Sequence, residues 1–372
     1  MKFIRFVLKF FKWSFIFLAS ALALFFIYFL IQTKKPDSYD KMSSQDQKTF
    51  TYLSKVYSAF EKNPAQIWDN TYKFQKEPLI LLSKKAEKGI HQSIYLINMS
   101  SMINTSKYQK VSFPAHMNLD DVYVTSWYGI KLLPQWFINF NFIDIDDKSV
   151  MAFSVNPTQL KEDNPFNTFP YFMPHEAFHE YKQMRDGWLY DNPEINELYG
   201  EHIENYPHRK EHYTLLREEY ALLDSAINQL SNKEQLAATM KKWIEIREQR
   251  YKKWPNLKHE TNSETMEGTA MYIEQKLYEA GIYPISSWRA IANEENPTVF
   301  EQYKFNQVMD MVDKFPGSAS NLERRMSYDK GTALALILDV LDKEWKNKVG
   351  KVQNKKMPTL YDLVKESVKT NE

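Results

Sequence analysis

Cysteine is absent from the 372 residues. That excludes disulfides, thiolate metal sites and a cysteine nucleophile, so any metal must be held by His, Asp or Glu. Glycine is scarce at 9, and neither a phosphate-cradling loop nor a nucleophile elbow occurs. Excess charge is missing as well. With 48 Lys and Arg against 47 Asp and Glu the formal net charge is +1, so there is no bulk positive field to hold nucleic acid. Internal repeats and low-complexity runs are not found either. What remains is an ordinary globular mixture, 43% hydrophobic, 15% aromatic and 26% charged, rich enough in apolar groups to exclude wholesale disorder.

The longest apolar run is Trp13 to Ile31, WSFIFLASALALFFIYFLI, without charge or proline. As a helix it rises about 28 Å at about 1.5 Å per residue, near the hydrocarbon thickness of a bilayer. Lys2, Arg5, Lys9 and Lys12 precede it. The positive-inside rule then predicts a single-pass membrane anchor, N-terminus cytoplasmic and the rest extracytoplasmic. A cleaved signal peptide is the rival, because Ala19-Ser20-Ala21 and Ala21-Leu22-Ala23 resemble cleavage sites. Cleavage there leaves FFIYFLI exposed at the new end, which favours the anchor.

After residue 34 the chain is polar, then amphipathic: Phe50, Leu53, Val56, Tyr57 and Phe60 recur at helical spacing. From about 78 to 155 the pattern is that of strands, PLILL, SIYLINM, DVYVTSW, the period-two FINFNFIDI and VMAFSV. Irregular segments are expected at 156–172 and 283–297. Beyond Pro174 long amphipathic helices are expected near 213–230, 234–252, 263–280 and 330–347. Strands followed by helices without alternation predict an α+β fold. The expected order is a basic stub and transmembrane helix over 1–33, a juxtamembrane helical segment over 34–77, a mixed β-sheet subdomain over 78–172 and a mainly helical subdomain over 173–372.

Chemistry is concentrated at His175-Glu176-Ala177-Phe178-His179. On a helix, residues four apart share a face, so two imidazoles can bind one zinc ion and the Glu between them can serve as general base. Pro174 suits a first helical turn and Asp186-Gly187 a stop. A di-iron bundle needs a second Glu-x-x-His pair, and the chain has none.

Three motifs together resemble the gluzincin metallopeptidases. His175–His179 supplies HExxH, Glu267-Gly268-Thr269-Ala270-Met271-Tyr272 is similar to the EGxAxY element of the aminopeptidase N family, and Tyr328-Asp329-Lys330-Gly331-Thr332-Ala333 is similar to its YxKGA element. The resemblance implies a zincin-like helical subdomain with Glu267 as third zinc ligand and Tyr328 as hydrogen-bond donor to the oxyanion. It also implies a glycine where two active-site helices approach. Glu264, one turn before Glu267, is the alternative ligand or a partner for a His ring N–H. Two departures stand out. The chain places 87 residues between His179 and Glu267, where the family has a short interval, and it lacks the GxMEN element that binds a free amine. Only the zinc machinery therefore carries over. The chain also resembles uncharacterised membrane-associated or secreted zinc peptidases with long helical inserts, here at about 188–260.

Inside that insert, Glu219 follows Arg217 and Glu218, and Arg247 and Arg250 lie one turn apart. Such runs read as a solvated face; the alternative is a buried Glu219–Arg pair, near the metal or as an Arg fork for a substrate carboxylate. His202, His208 and His212 read as loop or surface residues. The expected function is a membrane-anchored zinc hydrolase, a metallopeptidase with Glu176 as general base, acting on a peptide or protein and binding no nucleic acid. The edge of the sheet at Met151–Val155 is expected to pair with the peptide. Alternatives are a binding or scaffold protein with a structural zinc, and a zinc hydrolase of a non-peptide amide or ester.

Overall fold

The computed structural model of the chain describes residues 11–24, 27, 35–85, 91–126, 132, 139–160, 164–166, 168–188, 206–293, 295–323, 325–351 and 357–370. The chain forms two compact units, Met1–Ser54 with Pro78–Leu160, and Lys55–Glu77 with Lys161–Glu372.

The first element of the expected fold is corrected. Residues 11–24 are helical and exposed. No helix among the described residues is long and apolar enough to cross a membrane. The single-pass anchor and the extracytoplasmic placement built on it are withdrawn. Residues 25, 26 and 28–31 of the apolar run lie outside the described residues.

The first unit holds a six-stranded sheet. Its strands are β1 (Leu79–Lys84), β2 (His91–Ile97), β3 (Gln109–Lys110), β4 (Val122–Thr125), β5 (Phe140–Ile145) and β6 (Lys148–Val155), in the order β3-β4-β2-β1-β6-β5. All pairings are antiparallel except β1 with β6. Ile80 and Leu82, Ile94 and Leu96, and Val150 and Ala152 alternate onto one buried face with Ile143 of β5, as the period of two requires. On α1 (Ser44–Lys62), Phe50 packs edge-on against Tyr95 at 4.8 Å, and the Tyr95 hydroxyl donates to Asp46 at 2.9 Å. Met151–Val155 is not an edge. It pairs with Leu79–Ser83 on one side, while Phe153 and Met151 face Phe140 and Phe142 on the other, so its backbone groups have no capacity for an added peptide strand.

The second unit is mainly helical: α2 (Phe169–Phe178), α3 (Lys210–Ile227), α4 (Lys233–Lys253), α5 (Glu260–Glu279), α6 (Phe305–Lys314), α7 (Arg325–Leu341) and α8 (Leu360–Thr370). Two of these helices cross backbone to backbone. A Cβ on Gly268 of α5 would strike Gly331 Cα of α7, and one on Gly331 would strike the Glu264 carbonyl oxygen, both far inside van der Waals range. Only hydrogen fits there. The residues flanking this crossing, Glu267 and Tyr328 to Lys330, are thereby brought close together.

Candidate metal centre

α2 starts one turn earlier than the motif suggests. Pro170 occupies its first turn and Pro174 lies inside it. A proline there has no N–H for the carbonyl four residues back, which is that of Pro170. The Tyr283 hydroxyl takes over, donating to Pro170 O at 2.7 Å, and the Tyr171 hydroxyl donates to Ile285 O at 2.8 Å. These two bonds fasten the 283–287 segment to the helix that carries His175. Beyond Phe178 the helix widens into a π turn over His179–Met184, a feature common at functional sites.

His175, His179 and Glu267 converge and are buried. The two Nε2 atoms lie 3.1 Å apart, and Glu267 Oε2 is 3.3 Å from one and 3.4 Å from the other. Tetrahedral zinc with bonds of about 2.0–2.1 Å spaces its ligand atoms about 3.3–3.4 Å apart. The three edges match.

Protonation decides what such a cluster needs. His175 Nδ1 donates to Glu274 Oε1 at 2.7 Å, and His179 Nδ1 donates to Gln183 Oε1 at 2.6 Å. The Gln183 amide nitrogen is already committed to Met266 O and Thr269 Oγ1, both at 2.8 Å, so its oxygen faces the ring. Both Nδ1 atoms therefore carry hydrogen, and in neutral rings both Nε2 atoms present lone pairs. Two lone pairs and a carboxylate aimed at one point require a cation. Without metal, a proton fills that role. Burial lowers the His175 pKa, but hydrogen bonds to Glu267 and Glu274 outweigh it and push the group up to about 10. Burial likewise opposes ionisation of Glu267, yet the two imidazoles hold its carboxyl well below the usual range. With cysteine absent, a His-His-Glu set carrying a hydrogen-bond acceptor behind each ring fits zinc.

Glu176 and Tyr328 border the cleft beside these ligands, a cavity of 360 Å³ walled by Phe166, Tyr171 and Phe172. Burial raises the Glu176 pKa against the opposing pull of His179 and His175. The Tyr328 ring lies nearly parallel to His175, 5.8 Å between centroids. Glu274, which sequence reasoning missed, is steadied by a hydrogen bond from Ser287, delivered by the segment that the two tyrosines fasten. A larger cavity of 830 Å³ lies beside Trp68, Tyr272 and Asp339. There the Tyr272 hydroxyl and Trp345 Nε1 donate to the Asp339 carboxylate, and Lys346, whose pKa burial lowers to about 8, lies 4.0 Å from it.

Glu264 does not reach an imidazole. Its carboxylate is held by Arg247 and by Lys330 at 2.8 Å. Glu219 pairs with Arg250 and Arg247. The expectation of a solvated charge run is corrected: Glu219, Arg247, Arg250, Glu260, Glu264 and Lys330 are all buried. Glu260 accepts from both arginines at 3.0 Å, from Lys330 at 2.8 Å and from Tyr251 at 3.0 Å. His212, expected on the surface, is buried too and accepts from Arg250 Nε at 3.3 Å. His208 is more exposed and bonds Glu323 at 2.9 Å. His202 lies outside the described residues.

No family model matches the sequence, and no curated protein or solved structure matches it.

Proposed function

We propose that the protein is a zinc-dependent hydrolase, a metallopeptidase in which His175, His179 and Glu267 hold the metal. The observation that carries this reading is the meeting of two Nε2 lone pairs and a carboxylate at zinc-like spacing, with Glu176 beside His175 on the wall of one cleft. When bound, zinc supplies a Lewis acid that polarises an acyl oxygen and acidifies water toward neutral pH. Glu176 takes a proton from the attacking water on one carboxylate oxygen and returns it to the leaving nitrogen. The Tyr328 hydroxyl donates to the acyl oxygen as charge develops there, a contribution typically of ~10²–10³ in rate. Phe166, Tyr171 and Phe172 exclude water from the reacting atoms.

The test uses the purified full chain, its zinc content and a mixed peptide library. Wild type hydrolyses peptides, and Glu176→Gln retains zinc but loses activity by at least about 10²-fold. Full zinc occupancy with no turnover of any peptide or ester overturns the reading in favour of a structural zinc in a binding protein.

A further inference from the structure

Arg247 and Arg250, read from sequence as a solvated face with a carboxylate fork as one alternative, are enclosed by Glu219, Glu260 and Glu264 and do not border the cleft. Arg325 does. It is the only Arg or Lys among the described residues that line it. Arg325 opens α7 three residues before Tyr328, so the two side chains share a helix face. Its Nε lies 3.4 Å from Asp329 Oδ2. Asp329 is itself fixed by the Tyr303 hydroxyl and the Arg289 backbone N–H. The guanidinium carbon stands 5.7 Å from the Phe166 ring and 5.9 Å from the Tyr328 ring. The side chain keeps 33% exposure, so a ligand can reach its open edge, and its buried Nη2 has no hydrogen-bond partner among the described residues, which leaves the guanidinium under-satisfied. A charged donor in that state costs free energy until an acceptor arrives. Tethered on the Nε side and flanked by two rings, the guanidinium is a preset fork for a planar anion.

We propose that Arg325 recognises a substrate carboxylate, which narrows the substrates to peptides carrying one close to the scissile bond. This inference rests on the hydrolase reading above. The ring of His175 lies 5.8 Å from that of Tyr328, and Tyr328 lies 5.9 Å from the guanidinium carbon, so the fork stands within about 12 Å of the metal-binding imidazole. An extended peptide advances about 3.3 Å per residue. A carboxylate within about three residues of the scissile bond therefore falls within reach of Arg325 while the acyl group is beside His175. The carboxylate has two sources, the chain terminus or an acidic side chain.

Three matched sets of N-acylated peptides separate them: free acids, C-terminal amides, and amides with Asp or Glu one or two residues from the terminus. Wild type prefers free acids, or acidic amides, over neutral amides by about 10- to 100-fold in kcat/KM, the range of one charge-assisted pair. Which set wins identifies the source. Arg325→Ala collapses that ratio toward one, and Arg325→Lys restores part of it. Unfolding midpoint and zinc content, measured for each variant, exclude misfolding as the cause. Calorimetric binding of the same peptides to Glu176→Gln, with and without Arg325→Ala, reports recognition independently of turnover. Hydrolysis that ignores every carboxylate, or a preference that survives Arg325→Ala, overturns the inference and leaves the hydrolase standing. If no peptide is hydrolysed, the hydrolase reading fails by itself. Calorimetry then decides alone: carboxylate-dependent binding lost in Arg325→Ala supports the fork, and binding that is equal or missing refutes it.

Discussion

At the scale of single residues, the proposed metal ligands depend on neighbours outside the His-His-Glu cluster. Glu274 and Gln183 fix which nitrogen of each ring faces the centre. Glu274→Ala is expected to weaken zinc binding by about 10- to 100-fold, read by competition with a chelator of known affinity. An unchanged affinity would show that the ring needs no such support. Zinc at about 100 times its dissociation constant should stabilise the fold by about 2.7 kcal/mol, measured by denaturant unfolding, and His179→Ala should abolish that increment. The meeting of His175 and His179 was legible because it is local: four-residue spacing on a helix puts two imidazoles on one face. Glu267 was legible only beside Gly268, Ala270 and Tyr272. Glu274 and Gln183 were not, because a second hydrogen bond to an imidazole is set by side-chain rotamers and not by residue type. A signal did exist, since Gln183 follows His179 by one turn and Glu274 follows Glu267 by two.

At the scale of elements, the crossing of α5 and α7 governs the site. Gly268→Ala or Gly331→Ala drives a methyl group into facing backbone, which has no rotamer to yield. Each is expected to destabilise the protein by about 3 kcal/mol or more and to lower zinc affinity by displacing Glu267. Guanidinium unfolding and metal titration measure the two effects, and a variant that kept both at wild-type levels would contradict the close approach. Hydrophobic spacing revealed most helices and strands, as Phe50, Leu53, Val56, Tyr57 and Phe60 illustrate in α1. It did not reveal neighbours. Met151–Val155 read as an edge because sequence carries no mark of a parallel partner as remote as Leu79–Ser83. The apolar run at 13–31 satisfied every compositional rule for a membrane helix, yet no helix among the described residues is long and apolar enough to cross a membrane.

For the helical unit as a whole, the decisive feature is its buried ionic network. Arg217 and Glu218 are more exposed than Glu219 one position on, so local charge density could not tell a solvated face from an interior one. Burial, with the adjacent Arg250 as the next largest cause, pulls the His212 pKa down from 6.5 to about 3, against a smaller opposing effect of Glu260. The unfolded chain protonates this imidazole near pH 6.5 and the folded chain only near pH 3. Stability from a neutral His212 is therefore complete above pH 6.5 and is lost as pH falls toward 3. Denaturation midpoints between pH 7 and pH 5 should decline, and His212→Gln should flatten that slope; a slope unchanged in the variant would assign the effect elsewhere. The network also has a consequence for how the unit comes together. Its three cations and three carboxylates come from α3, α4, α5 and α7, and removing one partner from a buried ion pair typically costs about 3–5 kcal/mol. A nascent bundle lacking any one of the four would enclose an uncompensated charge, so these helices must dock in a single cooperative event, and a fragment that omits one should never reach a native-like state.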